Sequence, residues 1–338
     1  MVKNQIDAMQ EADLSRKVRL GPMTLTQGKL REDLIAFFNL LKENLPRHEF
    51  RRRLREEFAF YRAGVGKKRR VLFTGYYTPL IPASRVRTEE YRYPLYRMPE
   101  KSRNLRYVGH PPKPADAVQD TGRVWTWRDY TREHIDRLGA LSNRGLEIAW
   151  LKDDLERFFL HIQGSGRLRF RDGTVRGVRY LGANNYPYTG IGKRMVKDKV
   201  IAAEEGSMQG IKRYLRAHPE EVPKYLFQNK RYIFFALTDE PPRGSGGGDL
   251  VAGRSIATDK SIFPAGGLAY IILRKPVLND DHEITGWKRV ARFVVDQDTG
   301  NAIRGPGRAD LYFGAGHRAG VKAGHFQEWG QLFYLIKK

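Results

Sequence analysis

Apolar side chains recur at helical spacing early in the chain, with Leu30, Leu34, Phe37, Phe38 and Leu41 spread between Gly28 and Glu43. Beyond Pro46, Phe50, Leu54 and Phe58 repeat every four residues on a strongly basic segment. The spacing predicts two helices that pack one apolar stripe on a core. A membrane-surface or polyanion-binding helix is the competing reading of the second. Residues 1–26 are polar and weakly patterned. Val71 to Pro79 reads instead as a buried strand, with Gly75 inside it marking close approach of a ligand or another backbone.

From Leu80 onward the pattern shortens. Pro99 to Thr121 is a long polar segment with several prolines, of the length usually functional or disordered. A short helix is expected over Thr131–Leu138, a strand or extended chain over Ser142–Trp150, and a helical turn over Asp153–Arg157. Phe158 to Leu168 reads as an apolar strand ending in a polar glycine elbow, followed by a hairpin at Arg171-Asp172-Gly173. Turn residues fill Gly182 to Gly190, and helices are expected over Ile191–Glu205 and Ser207–Ala217, with Ser207 as N-cap and Pro219 as stop. Tyr232–Leu237, Arg254–Ala257, Leu268–Leu273, Ala291–Val295, a segment opening at Asp310, and Leu332–Ile336 read as strands. The Pro/Gly-rich stretch 239–253 reads as a flexible linker. Many short strands, few helices and dense glycine predict an α+β, mainly β, barrel-rich fold.

Composition narrows this picture. At 338 residues two domains are expected, and 41% hydrophobic residues suffice for a core. The chain has no cysteine, which excludes disulfides, thiolate metal sites and a cysteine nucleophile. Lys and Arg number 61 against 38 Asp and Glu, a net charge of +23 that points to an anionic partner. No apolar run reaches the ~20 residues that span a bilayer. The first residues, Met1-Val2-Lys3-Asn4-Gln5, lack a signal-peptide core, which suits either a cytoplasmic protein or a mature exported form.

Candidate chemistry is sparse. The eight histidines are scattered with no metal-ligand spacing; His317 and His325 lie eight apart, and His161 reads as a core residue. Gly164-Ser165-Gly166 is a weak phosphate-loop signal with no Gly-Lys-Ser/Thr beside it, and it does not fit a nucleophile elbow. Carboxylates remain. Asp259, Asp298 and Asp310 each sit at the end of an expected strand near glycine, as turn caps or as general acid/base groups.

Six segments follow in order along the chain: Gly75-Tyr76-Tyr77-Thr78-Pro79, the run Phe158 to Leu168, Asn184-Asn185-Tyr186-Pro187-Tyr188-Thr189, Gly253 to Asp259, Asp298 to Pro306, and Ala309-Asp310-Leu311-Tyr312-Phe313-Gly314. Together they resemble the MltA family of lytic transglycosylases. The stretch from Arg254 to Gly316 resembles that family's three-aspartate domain. Asn301 and Arg304 depart from a usual glycine and lysine. The resemblance implies a discontinuous double-psi β-barrel over 1–79 and 238–338, with a smaller β-barrel and helices inserted over 80–237 and a glycan groove at the junction. It implies a peptidoglycan lyase that cleaves the MurNAc–GlcNAc bond without water, leaving 1,6-anhydro-MurNAc.

The family's catalytic aspartate maps to Asp310, with Asp298 as its tuning neighbour and Asp296 as a structural group. Thr78, Tyr77, Gln163, Gly164, Ser165, Tyr188 and Asp259 map to substrate-binding positions. No cofactor, metal or nucleic acid is expected. The resemblance further implies a monomeric periplasmic protein, anchored in the outer membrane through an N-terminal lipid that this chain does not contain. Two rival readings stand beside it: a non-catalytic peptidoglycan-binding module, and a basic nucleic-acid-binding protein.

Overall fold

The computed structural model describes residues 1–99, 126–206, 208–300 and 302–338. Most of the polar segment after Pro99, Ser207 as an N-cap and Asn301 within its motif therefore lie outside the described residues. The chain forms two compact units, one from 1–79 and 240–338 and the other from 80–239.

The first unit opens with helix α1 (Val2–Ala8) and a small hairpin, β1 (Lys17–Leu20) and β2 (Met23–Thr26), neither visible in the polar pattern of this region. Thr26 caps helix α2 (Gln27–Lys42) by accepting from the Lys29 N–H at 3.1 Å. Leu30, Leu34, Phe37 and Leu40 form its buried stripe. Helix α3 (Arg47–Glu57) follows and buries Leu54, then turns into strand β3 (Phe58–Arg62) at Phe58, whose backbone is already extended. Strand β4 (Val71–Thr78) carries the unit to the chain crossing.

The second unit contains β5 (Leu80–Ser84), β6 (Tyr93–Tyr96), α4 (Arg132–Asp136), β7 (Glu147–Leu151), α5 (Asp154–Gln163), β8 (Ser165–Phe170), β9 (Val175–Ala183), α6 (Ile191–Lys197), α7 (Met208–Ala217), α8 (Val222–Leu226) and β10 (Ile233–Thr238). Its strands run β10-β9-β8-β5-β7-β6 in one sheet. Tyr96 and Tyr232, beside the two edge strands, approach to 6.4 Å between ring centres, so side chains meet there without a backbone ladder among the described residues.

Phe158 to Gln163 is helix, not strand. Asp153 caps it by accepting the N–H groups of Leu155 and Glu156, and Gly164 ends it in the left-handed conformation. The run looked continuous because the helix is buried on two sides: Phe158 and Phe159 pack among helices, while Leu160 packs on the sheet. A short apolar run of this kind carries no period that separates helix from strand. The helix expected over Ile191–Glu205 also breaks, at Lys199, which takes a positive φ of 58°. Pro219 opens a short 3-10 turn rather than closing the helical region.

Back in the first unit come β11 (Ser255–Ala257), β12 (Gly267–Leu278), β13 (Ile284–Asp298), β14 (Arg308–Ala315), α9 (His317–His325) and β15 (Gln327–Lys337). Strands β12 and β13 extend beyond their apolar cores into a long two-stranded arm. The order β12-β13-β11-β14-β4-β15, with β15 pairing back to β12, closes a six-stranded barrel, and β3 adds to β15. The mainly β expectation holds. Two ladders in the ring are parallel, β11 with β13 and β14 with β4.

Candidate active site

Five neighbouring strands set one row of residues across the barrel wall. Asp298 on β13 is opposite Ala257 on β11, Ala257 opposite Asp310 on β14, Asp310 opposite Thr74 on β4, and Thr74 opposite Gln327 on β15. Residues paired in register project to the same face. Their neighbours Ala309, Leu311 and Phe73 fill the core, so the row lies on the opposite, outer face. Two strand spacings put the backbones of Asp298 and Asp310 roughly 10 Å apart.

Asp310 is half-buried. The Thr74 hydroxyl donates to its Oδ1, and Arg308 Nη2 donates to Thr74 Oγ1 at 3.3 Å. Burial raises the Asp310 pKa above the ordinary carboxylate value, against the Thr74 hydrogen bond and the Arg308 charge, which lower it; the Asp298 charge adds to the rise. A carboxyl raised in this way keeps its proton to higher pH than a free aspartate and can release it to a neighbouring oxygen.

Asp298 is held by backbone. Its Oδ1 accepts the N–H of Thr299 at 2.9 Å and of Ser245 at 3.0 Å. Ser245 belongs to the 239–253 segment, which is a structured part of this site rather than a free linker. Gly246 N–H donates to the Gln297 carbonyl at 2.8 Å, and a side chain on Gly244 would collide with that carbonyl at 2.2 Å. Tyr76 lies on the same face as Asp310. Burial first, then the Asp298 charge, push its pKa well up, although its hydroxyl makes no hydrogen bond of ordinary geometry. Its ring lies 5.2 Å from that of Tyr312, whose hydroxyl is 2.8 Å from Thr78 Oγ1.

The other two aspartates are committed elsewhere. Asp259 accepts the Gly305 N–H at 2.8 Å and the Ser261 N–H and hydroxyl at 3.0 and 2.7 Å, and these bonds hold its pKa at about 2. Gly305 makes its bond from a φ of 82°, a conformation that favours glycine. Asp296 is wholly buried, accepting from Thr258 Oγ1 at 2.6 Å and Tyr334 OH at 2.7 Å and paired with Lys260.

Thr78 is buried at the end of β4, and Tyr77 lies against Gly320 of α9. Gln163 and Gly164 close α5 and Ser165 opens β8, all in the second unit, where Gln163 Nε2 contacts Met208 Sδ at 3.7 Å. Tyr188, also in that unit, is 56% exposed. His161 is buried on α5 with Nδ1 3.2 Å from Arg132 Nη2; burial and the charges of Arg132 and Arg157 drive its pKa well down. Sequence reasoning passed over Thr74, Arg308, Tyr76, Tyr312 and Ser245. The proximity of Thr74 to Gly75 was the available signal for the first; Ser245 had none, because its backbone makes the contact.

Residues 72–236 match the model of the MltA specific insert domain, and residues 254–336 match the 3D domain. Membrane-bound lytic murein transglycosylase A of Vibrio cholerae is 32% identical over 275 residues, 80% of this chain and 67% of that protein. The chain belongs to the MltA family. The Escherichia coli K12 member is likewise 32% identical, over 82% of this chain and 68% of its own. Among solved MltA-type structures, the membrane-bound lytic murein transglycosylase of Agrobacterium tumefaciens superposes with a TM-score of 0.70 at 29% identity, covering 99% of this chain and 91% of that one. E. coli MltA with bound chitohexaose gives 0.69 at 27% identity, covering 99% and 89%.

Proposed function

We propose that this chain is a peptidoglycan lytic transglycosylase in which Asp310 acts first as acid and then as base. One observation carries the assignment. Of the three motif aspartates, Asp310 alone combines partial burial, a raised pKa and an outward-facing row position, while Asp259 is locked ionised by three hydrogen bonds. Membership of the MltA family supports the reaction class, and chitohexaose bound to the E. coli relative supports a glycan as ligand. The two parallel ladders in the ring support reading the barrel as a double-psi barrel.

In this mechanism the Asp310 proton passes to the glycosidic oxygen as the bond to MurNAc C1 breaks towards an oxocarbenium-like state. The Asp310 carboxylate then takes the proton of the MurNAc C6 hydroxyl, whose oxygen closes on C1. The nucleophile is tethered to the reacting ring, so proximity replaces a positioned water, and the second carboxylate of a hydrolase is not needed. Asp298 raises the pKa of the acid and faces the positive charge that develops on the sugar. Thr78, Tyr77, Gln163, Gly164, Ser165 and Tyr188 contact the glycan. The protein acts as a monomer in the periplasm, in a form held to the outer membrane by a lipid.

Digestion of purified sacculi followed by muropeptide mass spectrometry tests this. Products one water lighter than those of a lysozyme are expected, and Asp310→Asn abolishes them while sacculus binding persists. Retained release by Asp310→Asn sinks the assignment, and release of hydrated products sinks the reaction class.

A further inference from the structure

One cationic cluster takes no part in the chemistry at Asp310. Helix α3 carries five arginines, and they divide by face. Arg52 is paired with Glu49 and Glu56, and Arg53 with Glu43 and Glu57. Arg47, Arg51 and Arg55 lie four residues apart on another ridge, and no carboxylate pairs with them among the described residues. The apolar stripe of α3 is spent on the core, so this ridge is what remains of the helix's basic character.

That ridge lines a cleft of about 600 Å³, with Arg254 and Arg292 completing the lining. Five arginines line it, and no acidic side chain does. Arg292 is held by the Gly253 carbonyl at 3.3 Å, yet its Nε–H is shut from solvent without a partner. Five like charges without a counter-charge cost free energy, and a bound anion offsets that cost. Guanidinium forks match phosphate oxygens two at a time. The floor is aromatic: the Phe293 ring lies 4.8 Å from Tyr270 and 6.2 Å from Phe50, and Phe60 at the rim is 40% exposed. A fully hydrated anion uses the arginines but wastes the floor. An amphiphile with a phosphate head uses both.

We propose that this cleft binds the phosphate headgroup of an anionic lipid, seating the α3 face of the first unit on a membrane surface. The inference does not depend on the reaction assigned to Asp310.

Co-sedimentation of the full chain with phosphatidylcholine vesicles, with and without about one-fifth phosphatidylglycerol, tests it at physiological salt. Arg51→Gln/Arg55→Gln/Arg292→Gln is compared with Lys67→Gln/Lys68→Gln/Arg69→Gln, which removes the same charge from another exposed cluster. The cleft variant is expected to lower partitioning onto phosphatidylglycerol vesicles roughly tenfold or more, the control less than about threefold. The exposed pair Arg51→Gln/Arg55→Gln leaves the near-UV spectrum of the fold unchanged and lowers partitioning by itself. Equal losses in the two triple variants overturn the proposal, leaving only diffuse charge. So does partitioning that ignores phosphatidylglycerol, inorganic phosphate binding to the cleft without vesicle binding, or cleft-dependent binding of a DNA duplex in place of vesicles.

Discussion

Thr74 and Asp310 stand opposite each other in the parallel pairing of β4 and β14, and the threonine hydroxyl donates to the carboxylate. Arg308, two residues before Asp310 on the same face, donates to that hydroxyl from the other side. The Asp310 carboxylate is therefore oriented from the β4 side. Asp298 reaches it through charge rather than contact.

Two substitutions around Asp310 are expected to move its pH dependence in opposite directions. Asp298→Asn removes a negative charge that raises the Asp310 pKa, so less of the Asp310 carboxyl is protonated at any given pH and the alkaline limb of kcat/KM moves to lower pH. Thr74→Val removes a hydrogen bond that favours the carboxylate, so the limb moves to higher pH. pH–rate profiles on soluble glycan strands read both. Shifts of the same sign contradict the proposed roles.

Asp259 links stability to acid. Its folded pKa of about 2 lies below the ~3.9 of an unfolded aspartate, so its contribution is complete above pH 4 and is lost as pH falls from about 4 to 2. Asp259→Ala leaves the Gly305 N–H without its acceptor and should cost about 1–3 kcal/mol at pH 7. Urea titrations at pH 7 and pH 2.5 check that the deficit shrinks in acid.

Lys260 balances the buried Asp296. Lys260→Met leaves that carboxylate with only the hydroxyls of Thr258 and Tyr334, a loss on the order of 3 kcal/mol. Calorimetry should show the first unit unfolding several degrees earlier. Double substitution with Asp296→Asn should recover part of the loss.

Gly75 is where α9 meets β4. A methyl group there would lie 2.8 Å from both Ala323 Cα and the Phe313 ring. Gly75→Ala should therefore cost about 1–3 kcal/mol and lower activity through displaced β4. A thermal melt and an activity assay at low temperature separate the two effects.

The close approach at Gly75 was foreseen in the chain, but its partner was not. A ligand and another backbone were equal readings of a glycine in a strand, and α9 proves to be the neighbour. The α2 stripe and the β4 run were legible because each buries one stripe or one continuous strand, and local periodicity reports that directly. Phe158 to Gln163 was misread because burial on two sides erases the period. The 239–253 segment was misread as free chain because its role rests on backbone N–H groups, which composition does not display.

The sequence by itself determined the family, the mainly β character and the identity of the carboxylates, because residue order and motif spacing survive without coordinates. Only the tertiary structure decided what surrounds each aspartate. Asp259, Asp296, Asp298 and Asp310 are chemically the same side chain. Burial, a lysine, three hydrogen bonds or one threonine distinguish them, and those neighbours come from strands up to more than two hundred residues away, as Thr74 does from Asp310.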